Sequence, residues 1–310
     1  MSSSDQSASR ALLHTVAKLH YENDMTQADV AKRLGLSAAT VSRLLQRARA
    51  EGIVRIEVRD LASPQMLVEG LVEKLGLKKA AVVETPGTVG ALASLAKPVG
   101  DMLREQNIQS GSVLAIGWGR AVRAVIEAGL PPLGSVTTVS ANGGMQQHAL
   151  HFQVNEFVRQ AAEQTGGMPR FIHAPYLPSR ESRAAFLADP EIARNVALWN
   201  KVDAAIVGIG VSPSITAPEA RVATPDEQAI TEAAGDVIRH YFRSDGSLID
   251  WEGESRMIAM RPEQLRQTPL VIGVAVGPSK SAGICGAARA GLISALVTDT
   301  QTAEAILEEA

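Results

Sequence analysis

Apolar residues recur at helical spacing through the first fifty positions and then give way to a different rhythm. Leu12, Leu13, Val16, Ala17 and Leu19 form one stripe, Val30, Ala31 and Leu34 a second, and Val41, Leu44, Leu45 and Ala48 a third. Thr26 and Ser37 stand where the second and third helices need N-caps, and Gly35 ends the second with the permissive backbone of a sharp turn. The pattern predicts a three-helix core with a helix-turn-helix, followed by a strand at 53–58, "IVRIEV", where apolar and charged residues alternate as in the wing of a winged helix. A boundary is expected near Asp60–Pro64, giving a winged helix-turn-helix unit at 1–60 and a second domain at 61–310, with a helix resuming at Gln65.

Beyond the boundary, short near-continuous apolar runs alternate with helical segments. Strands are expected at 80–84, 112–117, 136–141, 170–174, 204–210, 270–276 and 296–299. Helices are expected at 91–106, 121–128, 154–164, 192–199 and 227–242. Such alternation predicts an α/β domain whose mostly parallel sheet is covered on both faces. Ligands of these sheets sit beyond the carboxyl ends of the strands. Glycine-containing stretches follow several of them: "GWGRAV" (117–122), "ANGGMQQH" (141–148), "GIGVSPS" (208–214) and "GPSKSAG" (277–283). Converging loops of this kind free backbone N–H groups for an anion, and each following helix presents its positive end.

Charge sharpens the division of labour. The net charge is −3, yet residues 1–60 carry nine Lys/Arg against seven Asp/Glu. On the third helix Ser37, Ala38, Ala39, Thr40, Ser42, Arg43, Gln46 and Arg47 face outward, small at the N-terminal end and basic further on, with Gln27 at the start of the preceding helix. Small residues let a helix enter the major groove, and Arg and Gln read guanine and adenine edges there. Lys32 and Arg49 are placed for phosphates, and Arg55 and Arg59 of the wing for backbone.

Composition narrows the rest. A hydrophobic content of 45% with 20% charged residues describes a soluble chain with ample core. The single cysteine, Cys285, excludes an internal disulfide, and no metal-ligand spacing links the six histidines. His148 and His151 are expected near the pocket rim in packing or solvated roles. Neither a signal peptide nor a stretch approaching a membrane span is visible, so a cytoplasmic protein without membrane, metal or cofactor is expected. "GPSKS" lacks the glycine that a Walker A loop has directly before its lysine, and no nucleophile elbow occurs.

The order of these motifs, a helix-turn-helix and then "GWGR", "NGG", "GIG", "GDVIRHYFRSDG", "GPSK" and "LVTD", resembles the SorC family of bacterial sugar-responsive transcription regulators over nearly the whole chain. The resemblance implies a C-terminal domain similar to sugar-phosphate isomerase and deaminase folds. It also implies a sugar, polyol or sugar-phosphate effector, operator DNA as partner, and a homodimer or tetramer. It puts the effector at Gly117, Trp118, Gly119 and Arg120, at Gly277, Ser279 and Lys280, and at Asn142, Gly143 and Gly144. Two positions depart from the family: Ala121 replaces a threonine, and Arg243 follows Tyr241-Phe242 where an aspartate is usual, with Asp245 a stand-in. The rival expectation is a sugar-phosphate isomerase or deaminase with a DNA-binding appendage. Such chemistry needs a base at the pocket. Val211-Ser212-Pro213-Ser214 replaces the Gly-His pair that follows Gly-Ile-Gly in deaminases, and "AIVGIGV" carries no acidic cluster of the isomerase kind. A sensor without catalytic residues is the expectation.

Overall fold

In the computed structural model the described residues are 3–54, 63–84, 91–145, 149–212 and 223–308. The chain divides into two compact units, Met1–Leu61 and Ala62–Ala310.

The first unit holds α1 (Ser3–Tyr21), α2 (Gln27–Leu34) and α3 (Ala38–Ala50). The caps fall where the side chains require them: Thr26 accepts from the Asp29 N–H, and Ser37 from the Thr40 N–H at 3.1 Å. Gly35, at φ 65°, closes α2 in the left-handed conformation that a residue with Cβ adopts only at a cost. Val16, Leu19, Val30, Ala31, Val41 and Leu45 fill the core between the helices. Ile53 and Val54 pack beside Leu13, Ala17 and Ala48, but the strand expected at 53–58 lies mostly outside the described residues, as do Arg55 and Arg59.

The second unit runs α4 (Pro64–Leu75), β1 (Lys79–Val83), α5 (Ala91–Ser94), α6 (Ala96–Glu105), β2 (Val113–Ile116), α7 (Arg120–Ala128), β3 (Thr137–Ser140), α8 (Val154–Thr165), β4 (Met168–Arg170), α9 (Arg180–Ala188), α10 (Pro190–Ala197), β5 (Ala204–Gly208), β6 (Gly210–Val211), α11 (Pro225–Gln228), β7 (Gly235–Val237), β8 (His240–Phe242), α12 (Pro262–Gln267), β9 (Leu270–Val274), α13 (Ser281–Arg289), β10 (Ala295–Asp299) and α14 (Thr300–Glu308). Seven strands form one all-parallel sheet in the order β1-β10-β9-β5-β2-β3-β4. Alternation splits each central strand between two cores. Ala204 and Ile206 of β5 face α6, α7 and α8, whereas Ala205 and Val207 face α4, α13 and α14.

The strand order sets the position of the site. The chain leaves β2 towards β3 on one side, and from β5 its next sheet strand, β9, lies on the other. A crevice opens between β2 and β5 at this switch in direction, beyond their carboxyl ends. β6, β7 and β8 form a small antiparallel sheet over that edge, with Gly210 paired to Asp236.

Two expectations are corrected. The helix expected at 227–242 is only the turn Pro225–Gln228, followed by the β7–β8 hairpin. Residues 235–237 and 240–242 are buried throughout, so no polar alternation marks them as strands. The expected strand at 170–174 ends at Arg170. There side-chain amides replace ladder partners: Asn195 Nδ2 donates to the Phe171 carbonyl at 2.8 Å, and Asn155 bonds both backbone groups of Ile172.

Candidate functional site

A cavity of about 480 Å³ occupies the crevice. Trp118, Gly119, Arg120 and Ala121 enter it from the β2–α7 turn, Gly208, Ile209 and Gly210 from the end of β5, and Ser279 and Lys280 from the turn after β9. The expected loops after β2, β5 and β9 thus converge. His151 and Phe152 also line it, as do Asp236, Ile238 and Arg239 of the β7–β8 hairpin.

One wall is cationic, with Arg120 and Lys280 beside the start of α7. α7 begins at Arg120 directly after Gly119, whose backbone at φ 124° turns the chain into the helix with no side-chain cap. The first-turn N–H groups of α7 therefore face the cavity edge with the positive end of the helix dipole. The Gly119 N–H donates to the His151 carbonyl at 2.9 Å, fixing the loop. Lys280 Nζ donates to the Ile209 carbonyl at 2.6 Å. Burial lowers the Lys280 pKa, Arg120 lowers it further, and Asp236 opposes them. Burial also lowers His151, helped by Arg120 and Arg123.

The opposite wall is a buried polar cluster. Glu227 is fully buried; it accepts the Thr224 N–H at 2.6 Å, the Tyr241 hydroxyl at 3.0 Å and the Tyr176 hydroxyl at 3.4 Å. Arg239 lies 3.6 Å from Glu227, donates from Nη1 to Tyr241 at 3.0 Å, and places its guanidinium 5.9 Å from the Trp118 ring centroid. Burial pushes both phenols above the ordinary tyrosine range, so they remain donors. Asp236 accepts the Arg239 N–H at 2.8 Å; burial raises its pKa, against the charges of Arg239 and Lys280. The carboxylate lies so close to Gly210 that a Cβ there would overlap it.

Several expected positions are elsewhere. Gly117 is buried behind the cavity against Ile238 and Ile206. The Gly277 N–H is taken by Thr302 Oγ1 at 2.7 Å, so it is not available to an anion. Asn142, Gly143 and Gly144 do not line the cavity; they tie β3 to neighbouring segments, Gly143 donating to Ile258 and Gly144 to Ala174, each at 2.8 Å. Asp245 is exposed in a turn, accepting from Ser247, and Arg243 pairs with Glu232 rather than entering the cavity. Conversely, Asp236 supplies the acid that "AIVGIGV" lacks. It comes from the hairpin and not from the strand end. Asp236 and Arg239 were legible only as part of "GDVIRHYFRSDG", and the helical reading of that segment concealed where they point.

On the first unit, Gln27, Ser37, Ala38, Ala39, Arg43, Gln46 and Arg47 are exposed, with Thr40 and Ser42 partly so. Positions 39, 42, 43, 46 and 47 follow one face of α3 at three- and four-residue spacing. Arg47 is held by Glu51 at 2.6 Å, and Arg43 Nε reaches the Ala39 carbonyl at 3.4 Å. Among the described residues no group of acids, histidines and cysteines is arranged to hold a metal, and no helix is long and apolar enough to cross a membrane.

A helix-turn-helix carried with a cationic, loop-lined crevice in a parallel α/β domain defines an effector-responsive transcriptional regulator. Residues 60–308 match the family described as "Putative sugar-binding domain", and residues 18–51 match "Sigma-70, region 4". The sorbitol operon regulator of Klebsiella pneumoniae is 30% identical, the alignment covering 96% of this chain and 98% of that protein. The erythritol catabolism regulatory protein EryD of Brucella abortus is 27% identical over 97% of each chain. The crystal structure of the full-length Klebsiella regulator superposes with a TM-score of 0.72 at 30% identity, covering 96% of this chain and 98% of that one. The chain belongs to the SorC family of sugar-responsive transcriptional regulators.

Proposed function

We propose that this protein controls a carbohydrate or polyol catabolic operon, with operator affinity set by a sugar, polyol or sugar phosphate in the β2–β5 crevice. The observation that carries the reading is the cationic cavity wall, Arg120, Lys280 and the α7 N-terminus, on a chain that also presents the polar face of α3. An anionic group of the effector sits against that wall, and its hydroxyls reach the polar cluster opposite. Arg43, Gln46 and Arg47 read the major groove, with Gln27 and Ser37 supporting contacts to the backbone. A homo-oligomer presents α3 at paired half-sites, and effector binding alters their spacing, which links the two equilibria reciprocally.

The protein acts as a sensor and not as an enzyme. Asp236 is the one feature that favours isomerase chemistry, being a buried carboxyl near Lys280. Its Oδ2, however, is taken by the Arg239 N–H at 2.8 Å, which ties the carboxyl to the hairpin turn.

Thermal unfolding of the full chain with sugars, polyols and their phosphates tests the reading, because a ligand that binds only the native state raises its stability. A stabilising compound should also change the affinity for an operator fragment selected by the protein from random DNA. The reading fails if no compound does both. Incubation of the stabilising sugar phosphate in D2O, followed by NMR, separates the two classes: deuterium incorporation beside a carbonyl would establish the enzyme.

A further inference from the structure

The tip of the β7–β8 hairpin is unusual. Ile238 and Arg239 both adopt left-handed backbone, at φ 45° and 69°, although neither is a residue that favours it. A two-residue turn of this hand suits the twist of a hairpin, but glycine or asparagine would form it at lower cost. Strain of this kind persists where surrounding structure holds it, and it marks positions where a side chain is needed. Here both side chains line the cavity.

The Arg239 guanidinium is nine-tenths buried, and its fixed partners surround one side of it. Nη1 donates to Tyr241 and lies nearest Glu227, while the ring of Trp118 covers the plane. Among the described residues only Nη1 donates a hydrogen bond, which leaves Nε and Nη2 for the occupant of the cavity. Those two donors form a planar fork suited to a pair of oxygen acceptors. The charge of Arg239 is already answered by Glu227 and Asp236, so a second anionic end on the ligand would be opposed by two carboxylates.

Resting on the effector reading above, we propose that Arg239 is the specificity-determining residue for the uncharged end of the effector. Its fork receives adjacent hydroxyl or carbonyl oxygens of a small sugar or polyol whose single anionic group is held at Arg120 and Lys280. Arg239 thus measures the length and oxygen pattern of the ligand, whereas the opposite wall recognises only its charge.

A chain-length series tests this by titration calorimetry on the full protein: inorganic phosphate, glycerol 3-phosphate, erythritol 4-phosphate, ribitol 5-phosphate and sorbitol 6-phosphate. Wild-type affinity should rise along the series once the distal oxygens reach Arg239. Arg239→Lys, which keeps the charge and loses the fork, should leave inorganic phosphate within two-fold and weaken the best long ligand by about ten-fold or more. Because Arg239 neutralises Glu227, the paired variant Glu227→Gln with Arg239→Gly supplies a second background that balances charge and relaxes the turn. It should show the same flat series. Equal weakening of every member, or of none, overturns the assignment of Arg239 while leaving the anionic wall intact. If wild-type protein binds no member, the anionic-wall reading itself falls, and this assignment with it.

Discussion

Glu227→Ala should destabilise the C-terminal domain severely, and the structure permits a magnitude. The carboxylate is fully buried, accepts hydrogen bonds from the Thr224 N–H and two phenols, and opposes the Arg239 guanidinium at 3.6 Å. Removing one partner of a buried ion pair costs about 3–5 kcal/mol, because the remaining charge has lost its solvation as well as its partner. Asp236 stays beside Arg239 and offsets part of this, while the stranded phenols add to it. A net loss of about 3–5 kcal/mol therefore stands. For a domain of this size it corresponds to a fall in Tm of roughly 6–20 °C. Urea unfolding followed by tryptophan fluorescence suits the measurement, since Trp118, Trp199 and Trp251 are all buried and all lie in the C-terminal unit. Glu227→Gln and Arg239→Gly, alone and together, complete a double-mutant cycle, with an expected coupling of about 1–3 kcal/mol. A loss below about 1 kcal/mol with no measurable coupling would refute the idea of a dry, charge-paired wall.

Lys280→Met should weaken binding of phosphorylated effectors by about ten-fold or more, as calorimetry reads it, while leaving the unliganded protein as stable or more so. Burial lowers the Lys280 pKa, so the unfolded chain holds this proton to higher pH than the folded one. Wild-type stability should therefore rise relative to the variant as pH climbs from the depressed folded value towards the ordinary lysine range, and phosphate affinity should fall across that window. Gly210→Ala forces a methyl group into the Asp236 carboxylate and should cost about 1–3 kcal/mol in urea unfolding, with loss of effector binding. His151 is kept neutral by burial and by Arg120 and Arg123, and an anion beside those arginines relieves the repulsion. Effector binding near neutral pH should then take up protons, seen as a calorimetric enthalpy that varies with the ionisation enthalpy of the buffer, and His151→Gln should abolish the uptake. Arg43→Ala should weaken binding to the selected operator by about 1–3 kcal/mol, read by fluorescence anisotropy at fixed salt; unchanged affinity would remove α3 from the major groove.

Local signals were sufficient for a large part of the architecture. Caps at Thr26 and Ser37 and three apolar stripes specify the helix-turn-helix, because capping and helical periodicity act within a few residues. Six of the seven runs expected as strands supply strands of the parallel sheet, the central ones because strands buried on both faces need continuous apolar sequence. The run at 170–174 adds only Arg170 to the largely exposed edge strand β4. The glycine loops after β2, β5 and β9 announced the crevice, and Trp118, Gly119, Arg120, Ser279 and Lys280 line it.

What tertiary structure alone decided is how the crevice is furnished. The stretch 227–242 has apolar residues at spacings that fit a helix, and only pairing of Gly210 with Asp236 turns its second half into a hairpin. That pairing joins residues 26 positions apart, delivers Asp236 and Arg239 to the cavity, and puts Glu227 behind them. The NGG loop shows the converse. Asn142–Gly144 carry every local mark of a binding loop, yet their backbone is spent on Ala174 and Ile258. A sequence declares which groups a loop owns; whether those groups face a ligand or a neighbouring strand depends on which distant segment satisfies them first.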